Sequence, residues 1–171
     1  MSATPKAPVI SVVIEDPNWR KDGPALRLIR RAVKQALTSP VALVSRGGEG
    51  AALSVTLLLT DDAKLRALNG SFRGKDKPTN VLAFPAADAS YLGDIALAHG
   101  VVKREAREQG KNFAHHAAHL ALHGTLHLLG YDHESAGEAR AMETLETALL
   151  ERLEIADPYA PRLYTRPRKK A

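Results

Sequence analysis

The segment 123–133 reads HGTLHLLGYDH and places three histidines in the spacing H-x-x-x-H-x-x-G-x-x-H. Two histidines four positions apart lie one turn apart on the same side of a helix, so both imidazoles can bind one metal ion. Gly130 can end that helix sharply, because glycine accepts backbone angles that other residues avoid. The turn can then return the third histidine to the same ion. The pattern therefore predicts a helix that ends at a metal centre, with His123, His127 and His133 as the ligands.

The donor set predicts the metal and its use. The chain contains no cysteine, which excludes disulfides and thiolate ligands. Three imidazoles favour Zn²⁺, one ion per chain, with nickel and copper as substitutes in the test tube. Three protein ligands leave the fourth tetrahedral position open, which is typical of a catalytic rather than a structural zinc site.

Six of the seven histidines fall between positions 115 and 133, so a rival ligand pair has to be weighed. His119 and His123 are also four positions apart and would form such a pair. The set 123, 127 and 133 is preferred because only that set accounts for Gly130 and for the third histidine. His119 then either supports a ligand, lines the pocket or packs in the interior. His115 and His116 are expected at the surface or in packing contacts.

Composition places the chain among ordinary globular proteins. Its 171 residues fit one domain with a sizeable core. Hydrophobic residues make up 44% and charged residues 25%. The first residues, MSATPKAP, lack the apolar region of a signal peptide, and no apolar run approaches the length of a membrane span. We therefore expect a cytoplasmic protein with no membrane partner.

The net charge of +5 is unevenly distributed. The chain has 24 Lys and Arg against 19 Asp and Glu, and the excess of five bases lies in the segment 162–171, RLYTRPRKKA. Such a segment can attract a polyanion such as RNA or can be a solvated end of the chain. We expect residues 1–161 to form a single metallohydrolase domain and residues 162–171 to form a basic, disordered tail.

The rest of the chain divides into strand and helix patterns. Apolar, β-branched segments predict strands at 9–15, 53–60, 80–84 and 92–98. Helices are predicted from Gly23-Pro24 to Ser39-Pro40, at 61–68 with Asn69-Gly70 closing it, at 99–109, at 112–129, and after a Ser135–Glu138 capping box. Loops are predicted at 46–50 and 73–80. Strands that come first and helices that collect at the end favour an α+β domain with a mixed four-stranded sheet. The helix at 112–129 is apolar on most sides and is expected to be buried.

The histidine segment closely resembles the signature of the YbeY family, bacterial metal-dependent endoribonucleases and rRNA maturation factors. Leu68-Asn69 with RGKDKPTNVLAFP at 73–85 is similar to a second characteristic segment of that family, and LGDI at 92–95 is similar to a third. The three segments occur in the order of the family and span roughly residues 53–150. One departure is Ala83, where the family often has serine.

The resemblance implies a zincin-like α+β fold with one zinc ion bound by His123, His127 and His133. It implies a hydrolase that cuts single-stranded RNA and acts in 3′-end maturation of small-subunit rRNA and in ribosome quality control. RNA and the small ribosomal subunit are the implied partners. The functionally important arginine of the family falls on Arg73, which makes Arg73 the implied catalytic residue. From its position alone, Arg73 would be read as an arginine of an exposed loop.

Many proteins with this histidine spacing carry a glutamate after the first histidine as a general base, whereas this chain has Gly124. Zinc lowers the pKa of a bound water to about 7 and polarises a phosphoryl oxygen. Displacement at an anionic phosphodiester needs charge neutralisation as much as proton removal. A guanidinium such as that of Arg73 can bind two phosphate oxygens at once. These arguments favour phosphodiester over peptide hydrolysis.

Several alternatives stay open from the sequence. One is a zinc peptidase-like hydrolase with an unusual base, and another is a non-catalytic, ribosome-associated RNA-binding factor whose zinc braces the fold. The nucleophile can be water or the RNA 2′-hydroxyl, with Asp94 and Asp132 as candidate proton acceptors. Asp132 can also orient a ligand histidine through its free N–H or simply cap the turn.

Overall fold

The structure is a computed structural model that describes residues 4, 6–44 and 51–160. The loop expected at 46–50 and the basic tail expected at 162–171 lie outside the described residues. Within the described ranges, no helix has the length and apolar character needed to cross a membrane.

Four strands and six α-helices form in the described residues. The strands are β1 (Val9–Ile14), β2 (Ser54–Thr60), β3 (Val81–Pro85) and β4 (Tyr91–Ala98). The helices are α1 (Gly23–Leu37), α2 (Pro40–Val44), α3 (Asp62–Arg73), α4 (His99–Glu108), α5 (Phe113–Leu128) and α6 (Ala136–Glu151). All four strands, α4 and α5 lie within one residue of the bounds that the sequence predicts.

The strands form one mixed sheet in the order β1-β2-β4-β3. β1 pairs parallel with β2, and β2 pairs parallel with β4. β3 pairs antiparallel with β4, with Ala83 opposite Ile95. The expected mixed four-stranded sheet is confirmed.

Strand β4 contributes side chains to both faces of the sheet. Ile95 and Leu97 are fully buried in the main core, which also contains the apolar faces of α1 and α5. Ala96 and Ala98 belong to a smaller cluster on the other face, together with Leu65 of α3. Because successive residues of a strand point to opposite sides, this alternation places helices on both faces of one sheet.

Helix α5 runs through the middle of the domain. It packs along α1, lies against β3 and β4, and also contacts α4 and α6. Eleven of its sixteen residues are buried, in agreement with a pattern that is apolar on most sides. Asn112 caps its first turn by accepting a hydrogen bond from the His115 N–H at 3.2 Å.

Helix α3 is longer than the sequence predicts. The Asn69-Gly70 pair does not close it. The helix continues to Arg73, where Gly74 takes a left-handed conformation with φ 66°. Asn69 is held inside the helix because its side-chain amide donates to the carbonyl of Lys77 at 3.0 Å. The prediction that Arg73 begins a loop is therefore wrong, since Arg73 is the last residue of α3.

Two short elements were not expected. Ser39-Pro40 ends α1 as predicted, but Pro40 then opens the five-residue helix α2, since proline suits a first helical position. A 3-10 helix at Pro17–Lys21 follows β1 and is capped by the Asp16 carboxylate. This turn buries Trp19 completely, and its indole N–H donates to the carbonyl of Thr60 at 3.0 Å.

Candidate metal centre and active site

Helix α5 places His123 and His127 on one side, one turn apart. Their Nε2 atoms lie 3.0 Å from each other, and their ring centres are 4.6 Å apart. Burial is the main cause that lowers the pKa of His127, and its neighbours His123 and His133 add to the effect. His127 is therefore neutral at neutral pH, which is the form of imidazole that binds metals.

The turn after α5 returns the chain to these two rings. Gly130 adopts φ 99°, and its N–H donates to the carbonyl of His127 at 3.0 Å. The Tyr131 N–H donates to the carbonyl of Leu126 at 3.0 Å. These two bonds form a Schellman motif, the common glycine-dependent end of a helix. His133 then lies with its ring centre 5.1 Å from that of His127 and 5.8 Å from that of His123.

These three side chains, which we call the histidine cluster, have ring separations close to those expected around one shared zinc ion. Imidazoles that share a tetrahedral zinc at about 2.1 Å per nitrogen have ring centres roughly 5 Å apart, with ligand nitrogens about 3.3 Å apart. The three ring separations of 4.6, 5.1 and 5.8 Å lie on both sides of that value. The structure thus brings together His123, His127 and His133, the three ligands that the sequence predicts.

Asp132 lies at the edge of the histidine cluster. Its Oδ1 accepts a hydrogen bond from the backbone N–H of His133 at 2.8 Å and lies 3.5 Å from Nδ1 of that ring. Among the described residues, one ligand atom each of His127, Asp132 and His133 lie within 4.8 Å of one another. This group contains Asp132 in place of the predicted ligand His123. The backbone contact matches a turn cap, while the second distance places the carboxylate beside a ligand histidine. The position of Asp132 is therefore compatible with both suggested roles, capping the turn and orienting a ligand histidine.

His123 is also held from the side opposite His127. Its Nδ1 forms a short hydrogen bond with Oε1 of Glu146 on α6, and Oε2 of the same carboxylate lies 3.1 Å from Nε2 of His119. The Tyr159 hydroxyl donates to Oε2 as well. We call these four side chains the carboxylate network. Glu146 has no solvent exposure.

The carboxylate network keeps Glu146 ionised. Burial raises the pKa of its carboxyl, but hydrogen bonds from His119, His123 and Tyr159 outweigh that effect and lower the pKa to about 2. Burial and the adjacent carboxylate raise the pKa of Tyr159, so its hydroxyl stays protonated and donates.

The other histidines on α5 do not form the rival ligand pair. His119 turns its Nε2 towards Glu146, and its ring centre lies 6.4 Å from that of His123. His116 is buried and its Nε2 bonds to Glu105 at 2.8 Å, while His115 is half-buried.

A cavity of about 230 Å³ is lined by His115, His116 and His119 and by residues 110–112 and 155–158. The cavity therefore lies beside the first half of α5, and no residue of the histidine cluster lines it.

Position 124 faces the sheet. A Cβ atom at Gly124 would lie 2.9 Å from Cγ2 of Ile95 on β4 and 3.5 Å from Cγ2 of Val81 on β3. There is no room for a glutamate side chain beside the first histidine, because α5 lies directly against the strands there.

Arg73 is exposed at the end of α3. Within the described part of the chain, its guanidinium forms no ion pair, and it is not hydrogen-bonded to the histidine cluster. Phe72 beside it is 68% exposed and touches Phe84 edge-on, with ring centres 5.1 Å apart. Lys75 and Lys77 follow, also exposed. This segment presents cationic groups and one aromatic face to solvent.

Glu146 and Tyr159 are two residues of the site that no sequence motif singles out. On α6, Glu146 lies four positions after Met142 and three before Leu149, and all three residues are buried. A single carboxylate on an otherwise apolar helical stripe was the available signal, because a buried charge needs partners. Tyr159 follows the last helix in an irregular segment, where periodicity carries no information.

Comparison with known proteins agrees with the motif resemblance. The family model described as Endoribonuclease YbeY matches residues 22–154. An Endoribonuclease YbeY of Rhodopseudomonas palustris is 50% identical over 161 residues, which cover 90% of this chain and 82% of the relative. Another from Chelativorans sp. is 52% identical over 146 residues, covering 81% of this chain and 88% of the relative.

A solved structure shares the fold. The solution structure of TM1509 from Thermotoga maritima superposes with a TM-score of 0.52 at 24% identity, covering 90% of this chain and 100% of that one. With the family model spanning most of the chain and relatives near 50% identity, the chain belongs to the YbeY endoribonuclease family.

Proposed function

We propose that this protein is a zinc-dependent endoribonuclease that cuts single-stranded RNA, with a zincin-like site on α5. One Zn²⁺ is bound by His123, His127 and His133. The observation that carries the proposal is the convergence of these three imidazoles, with ring centres 4.6 to 5.8 Å apart, in a member of this family. The proposed role is 3′-end maturation of small-subunit rRNA and ribosome quality control in the cytoplasm, with the small ribosomal subunit as partner.

The ligand chemistry supports zinc. All three donors are imidazole nitrogens, and the turn at Gly130 supplies the third from outside the helix. When bound, the ion supplies Lewis acidity towards a phosphoryl oxygen and acidifies a coordinated water. The histidine cluster would hold the ion through three imidazole nitrogens, and sites with three protein ligands typically keep one position for water or substrate.

Arg73 is proposed to bind and neutralise the scissile phosphate. Its guanidinium stays protonated and can donate two parallel hydrogen bonds to phosphate oxygens. It is exposed and free of ion pairs in the described residues, so no protein carboxylate has to be displaced. Lys75 and Lys77, exposed in the following loop, add attraction for the RNA backbone.

The packing at Gly124 favours RNA over peptide as substrate. A peptidase needs a base that carries a proton to the leaving amine, and α5 leaves no space for a glutamate beside His123. Asp94 is exposed and accepts a hydrogen bond from the Tyr91 hydroxyl, whereas Asp132 lies at the histidine cluster. Asp132 is thus the better placed of the two candidate proton acceptors.

Two substitutions test the proposal. His127→Ala removes a ligand and Arg73→Ala removes the phosphate contact, so each should lower cleavage of a single-stranded RNA by about 100-fold or more. Arg107→Ala, at another exposed arginine near a helix end, should cut normally. Thermal unfolding checks that the variants are folded. Normal cleavage by both His127→Ala and Arg73→Ala would rule the proposal out.

The products separate the two nucleophiles. Attack by the 2′-hydroxyl leaves a 2′,3′-cyclic phosphate and is blocked by a 2′-deoxy substitution at the cleaved position, whereas attack by water is not blocked. The non-catalytic alternative predicts that protein with and without zinc binds rRNA equally and that neither form cuts it.

A further inference from the structure

Glu146 is a charged side chain in the interior of the domain. It is ten positions into α6, whose start is set by the Ser135–Glu138 capping box. It has no solvent exposure. An ionised carboxylate is unfavourable in such a place unless hydrogen bonds replace its water. Three donors do so here, and one of them is a predicted zinc ligand.

The bond to His123 determines where that ring carries its proton. A neutral imidazole has one N–H and one lone pair. Oε1 of Glu146 accepts from Nδ1 of His123, so the proton lies on Nδ1 and the lone pair on Nε2. That Nε2 is the atom 3.0 Å from Nε2 of His127. The carboxylate therefore aims the metal-binding lone pair of His123 into the histidine cluster.

The second carboxylate oxygen is held by two further donors. Oε2 lies 3.1 Å from Nε2 of His119 and accepts from the Tyr159 hydroxyl. Tyr159 itself lies 3.3 Å from the same His119 nitrogen. These contacts come from the first half of α5 and from the segment after α6, so the carboxylate is fixed from two directions.

We propose that Glu146 is a positioning residue that fixes the tautomer and orientation of His123 for zinc binding, and that His119 and Tyr159 hold Glu146 in place. The proposal depends on the proposed function only for the presence of the metal. Glu146 acts through His123 and does not touch substrate, because it is completely buried and both of its oxygens have partners. It is thus no substitute for the glutamate missing at position 124.

Zinc affinity tests this role without any RNA. Competition with a chromophoric chelator gives the Kd for Zn²⁺ of purified protein. Glu146→Gln should weaken zinc binding by about 10- to 100-fold, since the neutral amide is a weaker acceptor and turns an N–H₂ towards one of the donors. Tyr159→Phe removes one hydroxyl and should weaken zinc binding by a smaller factor. Glu151→Gln, at an exposed glutamate of the same helix, should bind zinc like the unmodified protein.

A purely structural role predicts another result. Glu146→Gln and Tyr159→Phe would then lower the thermal midpoint of the zinc-free protein, yet the folded molecules would bind zinc with unchanged affinity. That outcome would overturn the proposal. If Glu146→Gln does not fold, Tyr159→Phe decides, because it keeps the carboxylate and the ring. Unchanged zinc affinity in Tyr159→Phe would then also overturn the proposal.

The assay also separates this proposal from the proposed function. Protein that binds zinc, loses affinity in Glu146→Gln and fails to cut RNA would uphold the positioning role and refute the nuclease. If the protein cuts RNA in a zinc-dependent manner and both variants keep their zinc affinity, the nuclease is upheld and the positioning role is refuted.

Discussion

Gly124 of α5 lies so close to Ile95 of β4 that even a methyl group would not fit between them. A Cβ at position 124 would be 2.9 Å from Cγ2 of Ile95, shorter than any normal carbon–carbon contact. The packing of α5 on the sheet therefore requires a glycine at position 124. The absence of a glutamate there follows from the fold.

This contact predicts a loss of stability in Gly124→Ala. The added methyl must push α5 away from the strands, which should lower the free energy of unfolding by about 1–3 kcal/mol, measured by urea denaturation. Gly137→Ala is the matched control, because Gly137 is also helical and nothing lies within 4 Å of a Cβ there. The control should be neutral or stabilising by about 0.5–1 kcal/mol. Equal stability of the two variants would show that α5 is not in close contact with β4.

The turn at Gly130 predicts a coupled loss of stability and metal affinity. At φ 99° an alanine is strained, and relief of that strain should move His133. We expect Gly130→Ala to cost about 1–3 kcal/mol and to weaken zinc binding. Gly110→Ala, strained at φ 60° but placed before α5, should lose stability while its zinc affinity stays unchanged. If the two variants bind zinc equally well, the turn does not position the third ligand.

One half-buried histidine, His99, and one buried histidine, His116, predict how stability depends on pH. Burial is the main cause that lowers the pKa of both His99 and His116 from 6.5. The unfolded chain therefore takes up these protons more readily than the folded one. Their contribution to stability is fully present above pH 6.5 and is lost as the pH falls below it, by at most about 1.4 kcal/mol per pH unit for each proton.

Urea denaturation of zinc-free protein at pH 7.5 and 5.5 measures this dependence. The free energy of unfolding should be lower at pH 5.5, and His116→Gln should reduce the difference between the two pH values. An unchanged difference in His116→Gln would contradict the assignment to His116.

Phe72 predicts a stacking contact with RNA, if the proposed function holds. Its ring is 68% exposed next to Arg73, and base stacking on an aromatic side chain contributes about 1–3 kcal/mol. In a His127→Ala background that keeps the RNA intact, Phe72→Ala should bind single-stranded RNA about tenfold more weakly. Phe72→Tyr should retain binding. Val9→Ala, at an exposed apolar residue of β1 that is 55% exposed, serves as control. Fluorescence anisotropy at fixed salt would refute the contact if Phe72→Ala and Val9→Ala bind alike.

Local sequence signals were sufficient where one pattern dominates. The β-branched segments gave strands within one residue, and the H-x-x-x-H-x-x-G-x-x-H spacing predicted both α5 and the turn at Gly130. Where two signals compete, tertiary contacts decided. Asn69-Gly70 looks like a helix end, yet the bond from Asn69 to Lys77 keeps it helical and moves the end to Gly74.

Glu146 shows the limit of periodicity. A hydrophobic stripe predicts which side of α6 is buried, but it does not reveal that a carboxylate on that side meets two histidines and a tyrosine. Those partners lie 13 to 27 positions away along the chain. The packing of α6 against α5 brings in the two histidines, and the segment after α6 brings in the tyrosine. Likewise, the spacing of the motif could not show that position 124 faces Ile95.

Cleavage of a single-stranded RNA by protein stripped of metal and then titrated with Zn²⁺ tests the central claim most directly. The account predicts that chelation abolishes cleavage, that one equivalent of Zn²⁺ restores it, and that His127→Ala is not restored. Undiminished cleavage by protein shown to contain no metal would contradict the account.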